Sequence, residues 1–203
     1  FNVVNDLLDE PNETVIVTMG TPTNATLGAT TVHTVTITDD DAPPTVAWSA
    51  ASQSVAESVG TVTITASLSA ASGLTVTAPY TVSGTATNPA DHNLANGTIT
   101  INAGSTSANI TFTVLNDTLD EADETVVVTL GTPTNATLGA TTVHTVTIID
   151  NDPTPTVAWS AASQSVAESV GTVTVTATLS AVSGLTVTVP YTVTGTATNP
   201  ADH

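Results

Sequence analysis

The chain has 203 residues, 18 carboxylates, no lysine, no arginine and four histidines, for a formal charge of −18. No pairing with Lys or Arg is available within it, so each carboxylate must face water, accept hydrogen bonds or hold a cation from outside; nucleic acid and anionic membrane surfaces are excluded as partners by the same sign of charge. There is no cysteine and no run near the roughly 18 apolar residues of a membrane span, so neither a disulfide nor membrane insertion is expected.

From the first residue, FNVVNDLLDE shows neither the basic nor the apolar segment of a leader, and reads as the middle of a domain. Self-comparison then organises the chain. GTPTNATLGATTVHTVTI at 20–37 returns at 131–148, and TVAWSAASQSVAESVGTVT at 45–63 returns at 156–174, both 111 residues on. A period that long is a whole domain. The Pro-containing junctions DDDAPPT and DNDPTPT bracket one complete repeat at 42–152. Residues 1–41 read as the C-terminal part of a preceding repeat and 153–203 as the N-terminal part of a following one.

Within the complete repeat, TVAW and SQSVAE read as a broken first strand. GTVTITASLS alternates with Val62, Ile64, Ala66 and Leu68 on one face, and LTVTAPYTV places Leu74, Val76, Ala78, Tyr80 and Val82 inward. GTITI, ANITFTV, ETVVVTL and VHTVTII continue the period of two with Ile99 and Ile101; Ile110, Phe112 and Val114; Val126, Val128 and Leu130; Val146 and Ile148. Seven short strands in about 110 residues, without helical periodicity, predict an all-β sandwich.

If each strand reverses the one before it, alternate loops fall at the same end. That rule sends all nine carboxylates of the complete repeat to one pole: Glu57, Asp91, Asp117, Asp120, Glu121, Asp123, Glu124, Asp150 and Asp152. Two unit charges ~4 Å apart repel by about 4 kcal/mol at a surface-like dielectric. Only oxygen donors are on offer there. They suit Ca²⁺, which takes roughly six to eight oxygens at about 2.3–2.6 Å, whereas zinc and copper call for His or Cys clusters.

The residues also resemble the Calx-beta domain, through SVAESVGTVTIT, YTVSGTATNPADH, NGTITINAGSTSANITFTVLND, TLDEADETVVVTLGTPTNATLG and the exit TVTIIDND. The resemblance implies a seven-stranded Ig-like sandwich with calcium at its tip. Carried over by position, it implies metal ligands at Glu57, Asp91, Asp117, Glu121, Glu124, Asp150 and Asp152, with the Leu119 carbonyl as a main-chain ligand. Asn151 belongs to the same exit segment but replaces an acid, which removes one charge. The preceding repeat offers Asp6, Glu10, Glu13, Asp39, Asp40 and Asp41, and the following one Glu168 and Asp202.

Blander roles are expected elsewhere. Asp120 and Asp123 read as solvated, His33 and His144 as satisfied histidines at the core edge, and Trp48 and Trp159 as packing residues near the repeat junctions. Asp91-His92 and Asp202-His203 are not catalytic dyads, since neighbours on an extended chain point apart. No nucleophile–base set or cofactor motif is present, so no enzyme is expected. The sequence reads as a calcium-binding structural repeat of a secreted bacterial surface adhesin or extracellular filament. Its partners are then neighbouring repeats in a linear array, or further copies joined head to tail. A regulatory calcium sensor and a carbohydrate- or ligand-binding adhesion module are the alternatives.

Overall fold

The computed structural model describes residues 1–197. The chain divides into two compact units, Phe1–Asn116 with Asp123–Ile149, and Asp117–Ala122 with the chain from Asp150 onward.

The first unit opens with an antiparallel hairpin of β1 (Glu13–Thr18) and β2 (Val32–Ile37), in which Val15 faces Val35. A sandwich follows: β3 (Thr45–Trp48), β4 (Ser52–Ala56), β5 (Thr61–Leu68), β6 (Val76–Gly84), β7 (Gly97–Ile101), β8 (Ser107–Thr113), β9 (Glu124–Leu130), β10 (Thr137–Leu138) and β11 (Val143–Ile149). One sheet has the order β10-β3-β5-β8 and the other β4-β11-β9-β6-β7. The fold is the all-β sandwich that the alternation predicts, with the Ig-like form that the resemblance implies.

The first strand is broken as expected, and the break changes sheet. β3 pairs antiparallel with β5, whereas β4 runs parallel to β11, with Ser52 opposite Thr145 and Ala56 opposite Ile149. β10 is an addition to the expected set. Asn135 adopts φ 58°, a left-handed conformation that Asn tolerates, and its side-chain amide donates to the Thr75 carbonyl at 2.9 Å. The loop thereby turns Thr137 and Leu138 alongside β3.

The inward positions of both sheets form one buried cluster, from Val46, Val62, Ile64 and Phe112 on one side to Val76, Ile101, Val126, Val128 and Val146 on the other. Leu74, Tyr80 and Val82, also expected to point inward, are only half-buried. Trp48 is the packing residue expected of it and sits inside this cluster at 2% exposure. Its indole N–H donates to the Val128 carbonyl at 3.1 Å, and its ring meets Tyr80 edge-on at 6.5 Å. A side chain from one sheet thus bonds to the backbone of the other.

Close backbone approach fixes where β6 meets β9. Gly84 has φ 131°, and a Cβ there would lie 2.0 Å from the Thr125 carbonyl oxygen. With glycine in place, Ala86 N–H reaches the Thr125 carbonyl at 3.1 Å and Thr125 N–H reaches the Thr85 hydroxyl at 2.8 Å. This lock holds Glu124, the first residue of β9, at the end of the sheet.

In the second unit, β12 (Val157–Trp159) pairs antiparallel with β13 (Ala177–Leu179). Trp159 is 54% exposed there. It has the same sequence neighbours as Trp48, but residues 153–197 supply only the front strands of a repeat and no facing sheet.

Candidate metal centre

Each acidic cluster is built by loops anchored at strand ends. In the first unit Asp91 lies in the β6–β7 loop. Its Oδ2 accepts from the Thr87 N–H and, at 2.9 Å, from the Thr87 hydroxyl, while its own N–H donates to the Thr87 carbonyl. Leu115 N–H donates to the Asp91 carbonyl at 2.9 Å, tying this loop to the residue where the acidic stretch begins. A carboxylate oxygen of Asp91 and one of Glu124 come within 4.8 Å of each other. Glu57 opens a one-turn 3-10 helix, Glu57–Val59, and is buried.

The carboxylates of residues 1–41 crowd together in the same unit. Asp6 Oδ1 accepts from Leu8 N–H at 2.9 Å, which folds the loop back on itself. Burial, then Asp6, Glu13, Asp39 and Asp41, push the Glu10 carboxyl above its ordinary value. Burial, then Asp39, Asp40, Asp6 and Asp9, do the same to Asp41. All the acids of residues 1–41 take part in this mutual repulsion. Among the described residues no three of them place oxygens within 4.8 Å of one another. These residues contain no counterpart of Glu57 or Asp91, which come from the front of a repeat.

In the second unit Asp117 repeats the Asp6 turn, its Oδ1 accepting from Leu119 N–H at 2.7 Å. One oxygen of Asp117 lies within 4.8 Å of one of Asp152. The Oδ2 atom of Asp152 is buried and has no hydrogen-bond donor. Burial first, then Asp150, Asp117 and Asp120, raise its carboxyl above the ordinary range. An oxygen removed from water, lacking a donor and surrounded by negative charge, costs free energy unless a cation reaches it. The oxygen-only donor set fits a hard divalent ion.

Other sequence expectations divide. Asp120 is not solvated: it is 7% exposed, and its two oxygens accept from Ser183 at 2.8 Å and Thr154 at 3.4 Å. Nothing in its own segment signalled this, because the serine lies 63 residues away. Asp123 is exposed, as expected. Glu168 opens a 3-10 helix like Glu57 but is exposed and joins no acidic group among the described residues. Asp202 lies outside the described residues.

The buried histidines are structural. His92 accepts from Leu94 N–H at Nδ1, meets Phe112 edge-on at 6.0 Å, and has its pKa lowered by burial against the raising effects of the Ala86 backbone and Asp91. His144 Nδ1 donates to the Ala50 carbonyl at 2.7 Å, but its buried Nε2 has no partner, so it is only half satisfied.

An Ig-like sandwich with acids gathered in the loops at its strand ends defines a class of small β-module built to hold cations. The Calx-beta domain family matches residues 1–41, 39–152 and 150–203, and the chain belongs to that family. Three solved structures share its fold. The apo-form Calx CBD1 domain is 20% identical with a TM-score of 0.51, covering 55% of this chain and 100% of that one. CBD12 from CALX1.2 is 21% identical and the calcium binding domain CBD12 of CALX1.1 is 22% identical; each has a TM-score of 0.51 and covers 62% of this chain. The chain spans about half, 52%, of each CBD12 structure. No curated protein matches it.

Proposed function

We propose that this chain is a calcium-binding structural array in which Ca²⁺ at each acidic end stiffens the connection to the next repeat. The observation that carries the reading is Asp152: a buried carboxylate oxygen with no donor, beside Asp117, in a protein without lysine or arginine. The name of the CALX1.1 structure, a calcium binding domain, supports the choice of ion. The proposed ligands are Glu57, Asp91, Asp117, the Leu119 carbonyl, Glu121, Glu124, Asp150, Asn151 and Asp152, with Asp6, Glu10, Glu13, Asp39, Asp40 and Asp41 in the preceding repeat.

Near-identical repeats favour a mechanical role over a sensor tuned domain by domain. An extracellular setting, where calcium is abundant, and a place in a bacterial surface adhesin or filament complete the proposal. Binding to the folded form alone stabilises by mass action, by about 2.7 kcal/mol at a hundredfold excess over Kd. Thermal unfolding followed by circular dichroism therefore rises in temperature with added calcium and falls with EDTA. Superimposable curves under the two conditions would overturn the reading.

A further inference from the structure

One contact occurs twice, atom for atom, at the 111-residue offset. In the first unit Ser72, 1% exposed in the β5–β6 loop, donates its hydroxyl to Asp9 Oδ2 at 2.8 Å, and Gly73 N–H donates to the Asp9 carbonyl at 2.9 Å. Leu74 N–H closes the serine's other side at 3.0 Å, and Asp9 and Ser72 are bridged as parallel strands. In the second unit Ser183 donates to Asp120 Oδ2 at 2.8 Å, Gly184 N–H donates to the Asp120 carbonyl at 2.9 Å, and Leu185 N–H donates to Ser183 Oγ at 3.1 Å.

In both cases the aspartate belongs to the acidic loop of one repeat and the Ser-Gly pair to the next repeat along the chain. The glycine leaves space that any side chain would have to take from a neighbouring glutamate. A Cβ on Gly73 would lie 2.9 Å from Glu10 Cγ, and one on Gly184 would lie 2.9 Å from Glu121 Cγ. The receiving surface thus has three elements: a carboxylate for a hydroxyl, a carbonyl for an N–H, and room for a residue with no side chain.

We propose that this aspartate–serine–glycine clasp is the joint between consecutive repeats. The acidic loop takes as its partner the Ser-Gly turn of a following copy of the same repeat. The clasp consists of direct hydrogen bonds and holds with or without calcium, so its fate is separable from the ion-binding role of the neighbouring glutamates.

The test is hydrogen–deuterium exchange on the whole chain, in calcium and in EDTA, comparing the wild type with the Ser72→Ala/Ser183→Ala variant. Removing the hydroxyls speeds exchange about tenfold in peptides spanning 69–75 and 181–186 under both conditions, while peptides from β9 keep their protection and report that the sandwich is intact. Unchanged exchange at both turns overturns the joint; loss of the calcium effect elsewhere with the turns still responding overturns only the calcium reading. Because the chain lacks cysteine, an Asp120→Cys/Ser183→Cys variant gives a second readout. Mild oxidation closes an intrachain disulfide in that pair and not in an Asp123→Cys/Ser183→Cys control, and equal behaviour of the two pairs overturns the proposal.

Discussion

The indole N–H of Trp48 on β3 and the carbonyl of Val128 on β9 are hydrogen-bonded at 3.1 Å through the middle of the core. The two residues lie 80 positions apart and in opposite sheets. Trp48→Phe keeps an aromatic ring but leaves that carbonyl without its indole donor and opens a small void. The expected cost is about 2 kcal/mol, read as a lower urea midpoint with an unchanged slope.

Asp152→Asn separates the two faces of the acidic cluster. Without metal, the amide removes a charge that Asp150, Asp117 and Asp120 all oppose, and the melting temperature rises by on the order of 2 °C. In millimolar calcium the same change removes a ligand and the variant melts below the wild type. Paired thermal scans in EDTA and calcium check the reversal of sign; a variant that melts lower in both buffers would count against the cluster as a cation site.

Acidification works on calcium binding and on the crowded carboxylates of the metal-free fold in opposite directions. Glu10, Asp41 and Asp152 have raised carboxyl pKa values in the folded chain, so the folded form binds protons more tightly than the unfolded one there. Their penalty is full above the raised values, shrinks as pH falls through them, and is gone below the ordinary carboxylate range. His92 has the opposite effect: burial lowers its pKa, and its contribution is lost as pH falls below its ordinary value of 6.5. Protons also compete for the ligand oxygens. Calorimetric titration is expected to show calcium affinity falling by about tenfold or more between pH 7 and pH 5.

The strands were legible because Val, Ile and Thr alternate without interruption, and a one-residue slip would turn the whole core outward. Val126, Val128, Val146 and Ile148 are buried as that pattern requires. What the pattern could not supply was pairing at a distance. β10 depends on the left-handed turn at Asn135 and on an exposed edge of β3, neither of which is a hydrophobic signal. Asp120 resembled its solvated neighbours in composition, and only the approach of Ser183 from 63 positions away buries it. Strand direction gave the expectation for the acids at the strand ends, whereas their distances depend on loop anchors such as Thr87 and Thr85.

In the array proposed above, the side-by-side alignment of β4 and β11 sets how a repeat would bear a pulling load. β4 is near the start of the sandwich and β11 ends it, and they run the same way over Ser52–Ala56 and Thr145–Ile149. Tension applied where the chain enters and leaves drags these strands along each other's length, so the evenly spaced bonds of a parallel pair are strained together rather than parted one at a time. In the proposed array, a tether assembled from such complete repeats would resist stretching through shear.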